Sequence, residues 1–402
     1  MESKEELRSK TLLKETTRRL SERFETGLLW KHEDPQLPES RSMALKRLGS
    51  TERKMDRDPE FSLQYSAKME EFIAKNYARQ LTVKELSSHS TKLWYLPHFS
   101  VTNPNKPNKM RLVFDAAAKS GGISLNDALM SGPDFLTPLP GHLFNFRHYP
   151  VAVTGDIREM FPQIKIREED QPAQRFLWRG SDRSRPPDEF VMTSMIFGAK
   201  SSPCSAQYVR DENARDSMGK YPDAVQAILK RHYMDNYLDS FESSVEARTQ
   251  IQDIFNIHAD GGFQMCSWLT NDTGLMNWIP PTLRTDSDKS LDFDLGLPQE
   301  RILGLKWDPN SDSLTFNLKF HRVDAEVMNM DRSPTKREFL RILMSIFDPL
   351  GMVSHLTVRG KFLLQEIWRA DIMWDEGLPD ELLPRWGNFR RILEEIRKIS
   401  IP

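Results

Sequence analysis

Cysteine is nearly absent from this chain: Cys204 and Cys266 are the only two among 402 residues. That excludes a disulfide framework and a tetrahedral zinc set of thiolates, and it suits a reducing interior. Long apolar runs are missing as well. No stretch reaches the roughly 18 apolar residues that mark a membrane-spanning helix, so no membrane partner is expected. The opening run Met1-Glu2-Ser3-Lys4-Glu5-Glu6-Leu7-Arg8 lacks the apolar core of a signal peptide. There is no excess of one charge sign, since 56 basic and 58 acidic residues leave a formal net charge of −2. Such a balance argues against a simple basic binder, yet it leaves room for a local cationic groove beside a local anionic site. Neither an aspartic-protease Asp-Thr/Ser-Gly signature at the start nor a His/Cys set for an integrase zinc head is found.

What is present reads as a globular α+β protein. Hydrophobic residues make up 38% and charged residues 28%, and the length predicts two or three subdomains. Residues 1–85 read as charged helices with an extended insert at Phe24–Trp30, and a helix is expected from Glu60 to Gln80. From Leu93 the texture changes. Strands over Trp94–Val101 and Met110–Asp115 flank the turn Asn103–Lys109, a hairpin whose tip carries Lys106 and Lys109. The apolar strand Val151–Asp156 ends on a carboxylate. Phe190–Met195 is a further strand, and Ser202-Pro203 opens a helix running to about Met218. Arg231–Ser240 reads as a tight hairpin with Asp235-Asn236 at its turn. Ser243 with Glu246 forms a capping box for a helix from Val245 to about His258. Strand pairs resume over Arg301–Phe316, and the chain is helical from Lys336. This order predicts a mostly antiparallel sheet rather than a doubly wound parallel one.

Asp156 and Asp235 each sit at the end or turn of an apolar strand, where a carboxylate is costly to bury unless it is paired or binds metal. On spacing alone, strand-end caps explain them as well as a metal site does. Their neighbours add information. Asp156-Ile157-Arg158-Glu159-Met160-Phe161-Pro162-Gln163-Ile164, Phe197-Gly198-Ala199-Lys200-Ser201-Ser202-Pro203 and Tyr233-Met234-Asp235-Asn236 resemble, in order, three motifs of retroelement reverse transcriptases. Leu303-Gly304-Leu305-Lys306-Trp307 resembles the strand pair that grips the primer end. Tyr95–His98, Arg111–Ala116, Ser124–Leu129, Ser345–Gly351 and Leu364–Trp368 resemble the Pao/BEL class of long-terminal-repeat retrotransposons. Gly27–Trp30 and Met43–Leu48 fit the segment that precedes the polymerase there. The resemblance covers nearly the whole chain.

This resemblance implies a right-hand polymerase of fingers, palm and thumb, with an antiparallel palm sheet and an N-terminal helical segment. Residues 1–85 would be that segment, 86–320 fingers and palm, and 321–402 a thumb- or connection-like helical segment ending before any ribonuclease H. Asp156 and Asp235, with the carbonyl of Ile157, would hold two Mg²⁺ ions, Mn²⁺ being an alternative. Arg111 and Lys109, assisted by Lys106, would reach the triphosphate. Phe161 would exclude a 2′-hydroxyl, Gly198 would let template and nucleotide approach the backbone, and Leu303 and Gly304 would grip the primer. The implied partners are an RNA or DNA template with its primer and deoxynucleoside triphosphates, in cytoplasmic particles; the oligomeric state is left open.

Two positions depart from the pattern. Asn236 replaces the second aspartate of the hairpin. A unit charge about 4 Å from another contributes roughly 4 kcal/mol at an effective dielectric of about 20, or on the order of a thousandfold in rate. Asp239 is the nearest carboxylate in sequence that could compensate. Cys266-Ser267 stands where relatives carry a basic pair, removing a potential proton donor to the leaving pyrophosphate. The expectation is therefore an RNA-directed DNA polymerase core with impaired activity. The alternative is a catalytically dead, retroelement-derived nucleic-acid-binding protein.

Overall fold

The computed structural model describes residues 2–87, 89–103, 106–285, 300–302, 305–316, 318, 320 and 322–402. The N-terminal part contains α1 (Lys4–Thr16), β1 (Arg18–Arg19), β2 (Phe24–Thr26), α2 (Arg41–Arg57), α3 (Pro59–Ala74), β3 (Ala78–Gln80) and α4 (Val83–Leu86). A long hairpin follows, β4 (His98–Asn103) and β5 (Lys106–Phe114), then β6 (Lys119–Ser120), β7 (Ile123–Ser124) and α5 (Leu125–Ala128). The middle of the chain supplies α6 (Leu139–Phe146), β8 (Val151–Arg158), α7 (Met160–Gln163), β9 (Lys165–Ile166), β10 (Arg175–Trp178) and β11 (Asp188–Met192). Next come α8 (Ser202–Asp216), α9 (Pro222–Arg231), β12 (His232–Tyr233), β13 (Asn236–Phe241), α10 (Ser244–Asp260), β14 (Gln264–Thr270) and α11 (Thr273–Trp278). The C-terminal part holds β15 (Glu300–Ile302), β16 (Leu305–Asp308), β17 (Ser313–Thr315), α12 (Ala325–Met328), α13 (Lys336–Met344), α14 (Ser354–Arg369), α15 (Leu383–Lys398) and β18 (Ser400–Ile401).

The expected α+β layout is observed. Two four-stranded sheets, β12-β13-β8-β14 and β15-β16-β17-β18, stand beside smaller ones, and β2 with β9 is a parallel pair in an otherwise antiparallel set of named registers. Two compact units result. The first comprises residues 1–137, 156–237 and 248–265, and the second 138–155, 238–247 and 266–402.

In the first unit, two helix boundaries differ from the sequence reading. The helix expected to reach Gln80 stops at Ala74, because Asn76 takes a left-handed φ of 56° and Tyr77 N–H returns to Phe72 O at 2.9 Å. That C-terminal motif frees Ala78–Gln80 to pair with β11. The first helical residue of α8 is Ser202, with Ser201 as its cap.

The same unit buries a carboxylate. Asp170 is fully enclosed, accepting from Leu28 N–H (2.9 Å), Trp30 Nε1 (2.8 Å), Lys92 Nζ (2.7 Å) and Arg167 Nε (2.6 Å). Burial alone would push its carboxyl up, but the bonds from Arg167 and Lys92 outweigh it and hold the group below the usual range. Three segments of the chain, around Leu28–Trp30, Lys92 and Arg167–Asp170, are thereby tied at one point. Beneath the β4–β5 hairpin, His98 packs among Tyr65, Phe114, Phe176 and Trp178. One of its ring nitrogens faces the Tyr65 hydroxyl at 2.5 Å and the other Leu177 O at 2.9 Å.

The second unit has its own core. Trp307 meets Phe146 edge-on at 4.9 Å, and Trp386 and Phe389 flank Phe339. Arg147 and the Trp307 indole both bond Asp312. α14 and α15 cross closely at Gly360, where a Cβ would stand 2.4 Å from the Phe389 ring.

Two buried histidines make the fold acid-sensitive. Burial lowers His98 to about 4 and His258 to about 3, while both return to about 6.5 when unfolded. The folded chain keeps them neutral and the unfolded chain protonates them, so the stability they supply is present above about pH 6.5 and is lost as pH falls toward those values. The urea midpoint should therefore drop between pH 7 and pH 5, the unfolding free energy falling below about pH 6.5 by up to about 1.4 kcal/mol per pH unit for each group. A midpoint unchanged over that interval would contradict this.

Candidate active site

The site is assembled from β8, the β12–β13 turn, α8 and the β4–β5 hairpin. β13 lies beside β8 in the sheet, and Ile157 N–H donates to Asp235 O at 2.9 Å. Asp156 is thus one residue from a backbone contact with Asp235, and both side chains are half-buried. The backbones of the two segments that carry the carboxylates singled out from sequence are thus in direct contact.

The turn itself sits one residue earlier than expected. Tyr233 pairs with Asn236, so Met234-Asp235 forms the two-residue loop and Asn236 belongs to the strand. Met234 takes a left-handed φ of 58°, a conformation that costs a residue with a Cβ about 1–2 kcal/mol. What holds it is Arg210 of α8, a residue only 2% exposed, whose Nη1 donates to Met234 O at 2.8 Å. Its Nε and Nη2 bond the Asp211 carboxylate at 2.9 and 2.7 Å. Nothing in the sequence pattern distinguishes Arg210 from the other charges of its helix, and it was not anticipated.

Electrostatically the turn is poised between burial and two cations. Burial raises the Asp235 carboxyl above its ordinary range, while the bond from its own backbone N–H and then the charges of Arg111 and Arg210 pull it back. Arg111, exposed on β5 opposite Val101, is therefore within electrostatic reach of Asp235. Asn236 Nδ2 donates to Asp235 Oδ1 at 3.0 Å. An aspartate there would repel what the asparagine amide binds. Asp239, on the same strand, is buried and accepts from Ser240 N–H at 2.9 Å.

The oxygen donors that these segments carry are the Asp156 and Asp235 carboxylates, the Ile157 carbonyl and the Asn236 amide oxygen. That chemistry suits a hard divalent cation. Among the described residues, no group of three or more His, Cys, Asp or Glu side chains converges as a metal cluster, so the carboxylate count stays at two.

Phe161 of α7 packs against Phe197 with ring centroids 4.5 Å apart. The neighbouring Gly198 has a φ of 117°, and a Cβ there would meet Phe114 O at 2.4 Å. Glycine is thus needed where the loop passes the backbone of the hairpin. Asn126 clamps this loop, its Nδ2 donating to Gly198 O (3.0 Å) and its Oδ1 accepting from Lys200 N–H (2.9 Å). Glu159 adopts a left-handed φ of 50°, anchored by Lys75 (2.8 Å) and Tyr77 (3.0 Å). In the second unit, Ser267 takes a left-handed φ of 52° beside buried Cys266. The side chains of Lys106 and Lys109, and the residues Leu303 and Gly304, lie outside the described residues.

Comparison with known proteins bears on this geometry. Residues 335–402 match the family described as Pao retrotransposon-like RNaseH-like domain. The description names an RNaseH-like domain where the sequence reading placed a thumb- or connection-like segment; the matched residues form α13, α14, α15 and β18. Among solved structures, the chain resembles the foamy viral protease-reverse transcriptase dRH in complex with double-stranded DNA, with a TM-score of 0.53 and 13% identity. The alignment covers 98% of this chain and 58% of that one, so the chain spans little more than half of the viral protein's length. No curated protein matches. The fold is that of a reverse-transcriptase-like polymerase.

Replacing Arg210 by methionine should leave Asp211 buried without its partner and Met234 O without its donor. A loss of about 3–5 kcal/mol in urea unfolding is expected, with Arg210→Lys losing less. A loss under about 1 kcal/mol would mean that the turn does not depend on this residue.

Proposed function

We propose that this chain is the polymerase core of a retrotransposon reverse transcriptase, extending a primer 3′-hydroxyl on an RNA template with deoxynucleotides. The observation that carries this reading is the backbone contact of Ile157 N–H with Asp235 O, which joins the end of β8 to the β12–β13 turn, with Arg111 in the field of Asp235. The polymerase-like fold and the retrotransposon match at residues 335–402 support it. Asp156, Asp235 and the Ile157 carbonyl would hold two Mg²⁺ ions. When bound, these cations activate the attacking hydroxyl and neutralise the leaving pyrophosphate. Arg111 attracts the triphosphate to the hairpin side of the site, with Lys109 assisting. Phe161, which packs on Phe197, would lie under the sugar of the nucleotide and select against a 2′-hydroxyl. Gly198 keeps the loop close to the hairpin backbone without a side chain in the way. Leu303 and Gly304 would contact the primer end.

A second reading has an observation of its own. The Asn236 amide already bonds Asp235, which lessens the pull of the site on a cation and favours a nucleic-acid binder without chemistry. Its binding would rest on phosphate contacts and fall steeply with salt.

Primer extension on an RNA template with Mg²⁺ separates these readings, comparing the native chain with Asn236→Asp and Asp156→Asn. Asn236→Asp should extend primers faster, by on the order of a thousandfold if the lost charge is uncompensated, and Asp156→Asn should abolish extension. If no version extends while primer–template still binds, the polymerase reading fails.

A further inference from the structure

One tyrosine hydroxyl brackets the short helix that carries Phe161. Glu159 caps α7 and Gln163 is its last residue. Tyr77 Oη donates to Glu159 Oε2 at 3.0 Å and accepts from Gln163 Nε2 at 3.0 Å. Lys75 completes the grip, its Nζ lying 3.0 and 2.8 Å from the two Glu159 carboxylate oxygens and 2.5 Å from Glu71 Oε1. Tyr77 is 3% exposed. Burial, and after it the charge of Glu159, pushes its phenol up to about 12, so the hydroxyl keeps the proton that it donates.

The corner from Lys75 to Tyr77 is itself fixed. Asn76 O accepts from Lys165 Nζ at 2.8 Å and from Thr193 Oγ1 at 2.9 Å, and Tyr77 O accepts from Thr193 N–H at 2.9 Å. The Tyr77 ring meets Phe72 edge-on at 5.8 Å. By contrast, α7 has little of its own to hold it. A four-residue helix is a single turn, which does not persist unaided. Glu159 enters it in the left-handed conformation, which is costly for a residue with a Cβ, and makes no side-chain capping bond. Phe161 is half-buried, and Phe197, the ring it packs on, is itself exposed. Where Phe161 stands therefore depends on where Glu159 and Gln163 are held, and Tyr77 bonds both.

We propose that Tyr77, assisted by Lys75, is a positioning residue for sugar selection: by bracketing α7 it fixes how close Phe161 stands to the 2′ position of an incoming nucleotide. This role rests on the polymerase reading of the site and deepens it. Both residues act through Glu159 and Gln163 rather than on the nucleotide itself.

The test uses the full chain on a primer–template whose primer ends in a dideoxynucleotide, so that no bond has to form. With Mg²⁺ present, dATP or ATP is titrated opposite a template uracil, and the complex that survives a competitor challenge is measured. The native chain should prefer dATP, and Phe161→Ala should lose that preference. Tyr77→Phe and Lys75→Met should each weaken it by about tenfold to a hundredfold, chiefly through tighter binding of ATP, while Lys75→Arg keeps it. Added to Phe161→Ala, Tyr77→Phe should change the ratio no further. A general loss of structure would instead weaken both nucleotides together and lower the melting temperature. If Phe161→Ala loses the preference while Tyr77→Phe and Lys75→Met keep the native ratio, the positioning role is overturned and the polymerase reading stands. A preference that survives Phe161→Ala leaves Tyr77 nothing to position and overturns the role as well. A native chain that binds neither triphosphate overturns the polymerase reading and this role together.

Discussion

The turn at Met234-Asp235 is held by two donors from different elements. The Ile157 amide on β8 bonds Asp235 O, and the Arg210 guanidinium on α8 bonds Met234 O. A methionine does not adopt a positive φ unaided, and an unpaired carbonyl in a half-buried turn is costly. Without these bonds the turn would have little reason to place a carboxylate beside Asp156. The remaining features of the site are arranged around that placement. Arg111 faces Asp235 from the hairpin, and Gly198 allows the neighbouring loop to lie against that hairpin's backbone.

Charge is handled differently at two depths. At Asp170, a fully buried carboxylate has enough donors to stay ionised, and it joins the N-terminal segment to the strands next to it. At the turn, Asp235 has fewer. Burial raises it, its own backbone N–H and two arginines lower it, and the Asn236 amide supplies a bond that a neighbouring carboxylate could not. The first arrangement is a closed structural knot. The second holds its carboxylate with fewer donors and above the ordinary range.

Much of the architecture was legible where the signal is local. The capping residues of α10, the start of α8 and the hairpins were readable from spacing and turn residues, whereas Asp156 and Asp235 were singled out by the motifs around them. The errors have local causes too. Asp-Asn is a common turn pair and methionine is not, so the turn was set one residue late. Asn76 ends α3 early because its left-handed conformation is invisible in a periodic pattern. Arg210, Asn126 and Asp170 could not be found at all by spacing. Each acts through partners many positions away, and each sits in a stretch whose charges look like a solvated face. Asp170 follows Arg167-Glu168-Glu169, where nothing in the sequence separates the buried carboxylate from the exposed ones.

Under the proposed reading Asp156 and Asp235 hold the two divalent cations, and Asn236 leaves that centre a single carboxylate short. Titration of the free chain with Mn²⁺, followed by electron paramagnetic resonance, tests it directly. The account requires weak binding that is lost in both Asp156→Asn and Asp235→Asn and strengthened in Asn236→Asp. Binding that survives either aspartate substitution, or that Asn236→Asp leaves unchanged, would contradict it.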